Sequence, residues 1–149
     1  MQKLNLPEYE FIYKTTGSET FIFDILRKKY ILLTPEEWVR QNFVQYLIHD
    51  KKFPKSLIAI EKSVKYNKLI KRFDLLVYDK SGKPFVIIEC KAPTVEISQN
   101  TFDQIARYNM TLKVKYLIVT NGMQHYCCVM DYEKNDYFFL KEIPEYSNL

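Results

Sequence analysis

Asp74, Glu89 and Lys91 form the most chemically suggestive set in this chain, two carboxylates and an amine. Asp74 closes Lys71-Arg-Phe-Asp, and Glu89 and Lys91 bracket Cys90 in Ile88-Glu-Cys-Lys. Two carboxylates held about 5 Å apart repel strongly unless a cation or a shared proton lies between them. Such a pair with a lysine alongside describes a site for a hard metal ion bound through oxygen. A fixed Asp-x14-Glu-x-Lys pattern arises by chance in roughly one such chain in thirty, and in roughly one in three if the gap varies. Spacing alone therefore decides nothing, and the surrounding elements must decide.

Those elements read as a hairpin. Two β-branched and aromatic runs, Phe73–Tyr78 and Phe85–Cys90, flank the polar Asp79–Lys83 with its single glycine. Glu89 and Lys91 are two apart, so a strand sets them on one face, beside Phe85 and Ile87. If Ser81-Gly82 is the centre of the turn, or Lys80–Lys83 a four-residue loop, Asp74 lies directly across from Glu89. Isolated charge on the inward row of an apolar strand is costly, which makes this placement unusual.

The rest of the chain supplies the frame. Tyr9–Lys14, Thr20–Ile25 and Tyr30–Leu33, with Thr16-Gly17-Ser18 as a turn, predict a small N-terminal β-meander that carries no recognisable chemistry. Thr34-Pro35-Glu36-Glu37 is a helix start, with threonine as N-cap, proline in the first turn and Glu37 placed for a capping box. The helix runs to His49, with Val39, Phe43, Tyr46 and Leu47 on one face. Glu37 is explained by capping alone, or it looks toward the hairpin with Gln41 one turn along. Ser56–Tyr66 predicts the first strand of the main sheet, turning at Asn67-Lys68, and Pro93 ends the third strand. Ser98 to Leu112 predicts a helix through Phe102, Ile105, Ala106, Asn109 and Leu112, with Gln104 and Tyr108 one above the other. Lys115–Thr120 predicts a strand parallel to Phe85–Cys90. Asn121-Gly122 is a hairpin turn, and Gln124–Met130 and Tyr137–Lys141 follow as strands around Asn135-Asp136. His125 reads as an ordinary hairpin residue.

Composition excludes several classes. At 149 residues, 47% hydrophobic and 15% aromatic, the chain is expected to form one folded domain, with residues 1–33 as an extension and 34–143 as the core. Three glycines leave no phosphate-cradling P-loop. No apolar run reaches the roughly 18–20 residues of a membrane span and no signal peptide opens the chain, so a cytoplasmic protein without a membrane partner is expected. Cys90, Cys127 and Cys128 lack metal-ligand spacing, and the adjacent pair must point to opposite faces, which predicts packing rather than disulfides or zinc. The net charge of +4 is modest, but Lys51, Lys52, Lys55, Lys62, Lys65, Lys68, Lys71 and Arg72 crowd before Asp74. Such a segment is equally a phosphate-tracking surface or an ordinary solvated face.

The order of elements resembles the PD-(D/E)xK nuclease superfamily. More closely, Glu37-Trp-Val-Arg-Gln41, Lys71-Arg-Phe-Asp74, Ile88-Glu-Cys-Lys-Ala-Pro93, Gln104-Ile-Ala-Arg-Tyr108 and Val119-Thr-Asn-Gly122 resemble the N-terminal nuclease domain of type I restriction enzyme R subunits, over about residues 34–143. The family is also similar to RecB-like nucleases, which carry a Gln-x3-Tyr motif. The resemblance implies an α/β (α+β) restriction-endonuclease-like fold, a mixed sheet flanked by helices in the order helix-strand-strand-strand-helix-strand. It implies a Mg²⁺-dependent DNA endonuclease, with Mn²⁺ as a substitute. Asp74, Glu89 and the Cys90 backbone carbonyl would hold the ion, Lys91 would orient the attacking water, and Glu37 would complete the acidic cluster. Gln104 and Tyr108 would steady Lys91 or the DNA, and Lys62, Lys65, Lys68, Lys71 and Arg72 would contact nucleic acid. Phe73 stands where the superfamily name has proline, and these 149 residues hold no counterpart of the motor that follows in an R subunit. The implied partners are DNA and other restriction or repair subunits. Two rivals stand beside this: a catalytically inert or partner-dependent nucleic-acid-binding module on a nuclease scaffold, and a structural α/β domain whose acidic pair is incidental.

Overall fold

The computed structural model describes residues 1–66 and 68–149, and of residues 64, 66, 69, 71 and 111 the backbone alone. Two sheets and two helices make up the frame. The first sheet is the antiparallel meander β1 (Tyr13–Thr16), β2 (Glu19–Asp24) and β3 (Lys29–Leu32). The helix α1 (Pro35–His49) follows, then β4 (Ile58–Tyr66), β5 (Leu69–Tyr78) and β6 (Pro84–Cys90). Next come α2 (Gln99–Asn109), β7 (Tyr116–Thr120), β8 (His125–Asp131) and β9 (Asp136–Leu140). The second sheet runs β4-β5-β6-β7-β8-β9, antiparallel throughout except that β7 lies parallel to β6 after the α2 crossover. This is the mixed α+β order of elements, helix-strand-strand-strand-helix-strand, that the sequence implied.

The sheet is buried on both faces. Val39, Phe43 and Leu47 of α1 pack on Leu75, Val77, Val86, Ile88 and Ile118. On the other face Phe102 and Ala106 of α2 pack on Leu76, Ile87, Leu117 and Val119. Burial on both sides is why β6 and β7 read as unbroken apolar runs rather than alternating ones. Cys127 joins the first core and Cys128 the second, and Cys90, Cys127 and Cys128 are all unpaired thiols.

Local chemistry moved several boundaries. The first strand begins at Tyr13 rather than Tyr9, because Tyr9 is committed to α1 through a hydroxyl bond to Asp50 and Phe11 packs on Trp38. Ile25 falls outside β2, since Asp24 turns the chain by accepting the Leu26 and Arg27 amides. Residues 55–57 form a 3₁₀ turn after Pro54 instead of the start of β4. The expected turn at Asn67-Lys68 includes Asn67, which lies outside the described residues.

The β5–β6 turn differs from both expected forms. Asp79 donates its amide to the Lys83 carbonyl, closing a three-residue loop over 80–82 with Gly82 at φ 84. A left-handed third residue belongs to the three-residue hairpin loop, and glycine is the residue that adopts it without steric cost. Asp79 Oδ1 braces the loop by accepting from the Ser81 amide, the Ser81 hydroxyl and the Lys83 amide. Uncorrected, this loop would slip the register by one residue and turn Asp74 away from Glu89. An irregularity between Val77 and Tyr78 restores it, so that Val77 faces Val86, Leu76 faces Ile87 and Leu75 faces Ile88.

Candidate active site

Asp74 sits where the ladder gives out on both of its edges. Toward β6 the last registered pair is Leu75–Ile88. Toward β4 the pairs Ile60–Leu75 and Lys62–Phe73 flank a gap at Glu61 and Asp74, where Glu61 adopts φ 49. A left-handed conformation costs an L-residue about 1–2 kcal/mol, so this strain is held in place by neighbouring interactions. With no backbone partner on β5, the Cys90 amide donates to Asp74 Oδ2 at 2.8 Å instead. That bond draws the Cys90 peptide against the carboxylate.

Glu89 meets the same carboxylate. Burial pushes its pKa up to about 8, and the charge of Asp74 and a hydrogen bond to it add to the rise. Lys91 opposes the shift and Glu36 adds slightly to it. Glu89 is thus short of positive charge. Lys91 leaves the end of β6 with its amide on the Thr120 carbonyl, at 2.8 Å. Its side chain lines an open cleft of about 270 Å³ together with Glu89, Arg72, Gln104, Ile105, Tyr108 and Asn109. Gln104 and Tyr108 therefore look from α2 into the cleft that Glu89 and Lys91 enter from the sheet. His125 is engaged elsewhere: Nδ1 meets Thr120 Oγ1 at 2.7 Å and Nε2 meets the Asn5 carbonyl at 2.8 Å.

Glu37 is placed differently from either expected role. Thr34 Oγ1 accepts the Glu37 amide, which is half of a capping box. The Glu37 carboxylate turns inward, is buried, and accepts from Arg27 Nη2 and Arg40 Nη1, each at 2.5 Å. Arg40 Nη2 continues to Asp74 Oδ1 and Glu36 Oε1, both at 3.1 Å. An arginine thus stands between Glu37 and Asp74. Among the described residues no group of three or more His, Cys, Asp or Glu side chains is arranged to hold a metal ion.

Arg27, Arg40, Asp24 and Glu61 are the residues that sequence reasoning missed. Arg27 extends from the turn after β2 to Asp24 Oδ2 at 2.5 Å and to Glu61 Oε2 at 3.1 Å. The guanidinium pKa values of Arg27 and Arg40 rise despite burial, because carboxylates surround them. Arg40 stands three residues from Glu37 and four from Glu36, a helical pairing visible in the sequence. That such a polar face is buried was not visible. Lys62, Lys65 and Lys68 are exposed, the side chain of Lys71 lies outside the described residues, and the exposed Arg72 rests 3.0 Å from Glu61.

The donor chemistry fits a hard dication. The Asp74 oxygens, which accept from Arg40 and the Cys90 amide, keep lone-pair capacity, and the neighbouring Glu89 is poised to ionise once positive charge arrives. An ion that keeps several waters and takes one or two carboxylates matches a two-acid set.

Residues 35–144 match the family described as type I restriction enzyme R protein N terminus. A solved fragment assigned as an HsdR subunit of a type I restriction enzyme from Vibrio vulnificus YJ016 is similar in fold, with a TM-score of 0.52 and 21% identity over 75% of this chain. The chain spans 24% of that structure. No curated protein is significantly similar in sequence.

Proposed function

Because this chain belongs to the type I restriction enzyme R protein N-terminus family, we propose that it is a Mg²⁺-dependent DNA endonuclease domain that hydrolyses phosphodiester bonds. The observation that supports it most is that Glu89, hydrogen-bonded to Asp74, lines the same cleft as Lys91, Gln104 and Tyr108. Asp74, Glu89 and the Cys90 carbonyl would hold Mg²⁺, which when bound relieves negative charge on the phosphoryl oxygens and makes water a better nucleophile. Lys91 brings a compact ammonium to the attacking water and to the phosphate. Water adds to phosphorus, one P–O ester bond breaks, and the leaving oxygen takes up a proton. Gln104 and Tyr108, four apart on α2, steady Lys91 or the sugar-phosphate backbone. The exposed Lys62, Lys65 and Lys68 supply the phosphate-tracking charge. DNA is the proposed substrate, and other subunits of a restriction system are the proposed partners.

Incubation of plasmid DNA with the chain and Mg²⁺ or Mn²⁺ should give nicked and linear products. Asp74→Ala and Lys91→Ala should abolish them, and undiminished cutting by either variant would reject the assignment.

One observation favours a second reading, a binding module that is inert alone. Asp74 already has Arg40 on one oxygen and the Cys90 amide on the other. This reading predicts salt-sensitive DNA binding with no cleavage under any divalent metal.

A further inference from the structure

The family match begins at residue 35, so the β1–β3 sheet lies outside it. That sheet nevertheless reaches the acidic pair through two guanidinium groups, the half-buried Arg27 and the buried Arg40. Asp24 is fully buried at the end of β2, and both Arg27 and Gln41 Nε2 bond to its Oδ2, the latter at 3.0 Å. Arg27 is thereby fixed, and passes to Glu37 Oε1. Glu37 in turn holds Arg40, whose other amino group grips Asp74 Oδ1.

We infer that Arg40 is a positioning residue that fixes the Asp74 carboxylate toward Glu89, and that Arg27 of the N-terminal sheet holds it there through Glu37. This rests on the nuclease reading above. Three features carry it. Asp74 is pinned at both oxygens, by Arg40 and by the Cys90 amide, so its carboxylate has no torsional freedom left. Arg40 accepts an imperfect position to do so, since its buried Nε makes no hydrogen bond among the described residues. Arg27 also draws Glu61 across, and Glu61 is the left-handed residue at the ladder gap beside Asp74. Side chain and backbone around Asp74 are thus anchored to the same arginine. A buried ion-pair network is weak as a source of net stability, whereas its breakage leaves uncompensated charge. Fixing geometry is the role that remains for it.

The test uses the full chain. Arg27→Met, Arg40→Met and Arg40→Lys are compared with wild type by Mn²⁺ titration, by kcat and KM for plasmid cleavage, and by thermal unfolding. Loss of partners that orient metal-binding residues generally costs about 10–100-fold in affinity or activity. Arg27→Met and Arg40→Met should weaken Mn²⁺ binding and lower kcat to that degree, with KM for DNA within about twofold. Arg40→Lys keeps the charge but cannot fork to two carboxylates, so it should recover part of the activity. Should Arg40→Met fail to fold, Arg27→Met and Arg40→Lys carry the same measurement. Folded variants with wild-type Mn²⁺ affinity and kcat would overturn the inference, as would a rise in KM alone, which would make these arginines DNA contacts. A wild-type chain that neither binds Mn²⁺ nor cuts DNA would overturn the nuclease reading itself, and the inference with it.

Discussion

Glu89 is where charge and stability are most directly linked. Its folded pKa, about 8, lies above the ordinary value of 4.5 because burial and then Asp74 disfavour its ionised form. The folded chain therefore binds a proton that the unfolded chain has already released. The resulting stability is complete below about pH 4.5 and is lost as pH rises toward about 8. Without divalent metal, Tm should fall across that window, and Glu89→Gln should flatten the profile. An unchanged slope in that variant would assign the effect to other groups. At pH 7.5, Mg²⁺ should raise the Tm of wild type more than that of Glu89→Gln, since a ligand of the folded state stabilises it by mass action.

At the scale of elements, two devices hold the frame around the site. The Thr34 side chain caps α1, the helix that carries Glu37 and Arg40. Thr34→Ala should cost about 1 kcal/mol in urea unfolding, as cap removal generally does. Gly122, in the loop between β7 and β8, is left-handed at φ 83 and faces Leu4 closely enough that an added Cβ would lie 2.7 Å from its Cδ2. Gly82 has a similar φ of 84 with open space around it. Gly82→Ala should therefore cost roughly 1 kcal/mol from backbone strain alone, and Gly122→Ala should cost more. Equal urea midpoints would argue that Leu4 moves aside freely. The hairpin turn expected at Asn121-Gly122 forms one residue further on. Thr120 faces His125 and the Asn121 amide donates to the Gln124 carbonyl at 3.2 Å, so the loop centres on Gly122 and Met123, braced by Asn121 Oδ1, which accepts the Met123 and Gln124 amides.

For the molecule as a whole, β4 and β5 continue beyond the end of β6. Their pairs run from Lys62–Phe73 to Tyr66–Leu69, whereas β6 reaches only Leu75. The exposed Lys62 and Lys65 lie on this extension and the exposed Lys68 directly before β5, and none of the three lines the cleft. Glutamate in place of all three should weaken DNA binding across sequences. It should also lower the slope of log K against log salt by roughly 0.9 for each phosphate that the chain no longer neutralises. A salt slope equal to wild type would return these lysines to an ordinary solvated face.

The order of the elements, the parallel step from β6 to β7, the opposite burial of Cys127 and Cys128, and the resemblance to the family were all legible in the amino-acid sequence. Each of these follows from local periodicity, turn residues and short motifs, which the chain carries within a few neighbouring positions. The sequence also led to the correct pairing register of β5 and β6, although through a turn that does not form. A three-residue loop and a compensating irregularity cancel, and only the burial of Leu75, Leu76, Ile87 and Ile88 on fixed faces forces that cancellation. The long-range links of the arginine chain, from Arg27 to Glu61 and from Arg40 to Asp74, belong to tertiary structure. Arg27 meets Glu61 across 34 positions, and Arg40 meets Asp74 across the same separation. No local pattern encodes such partners: a buried guanidinium takes whichever carboxylates the packing of two sheets and a helix brings within reach.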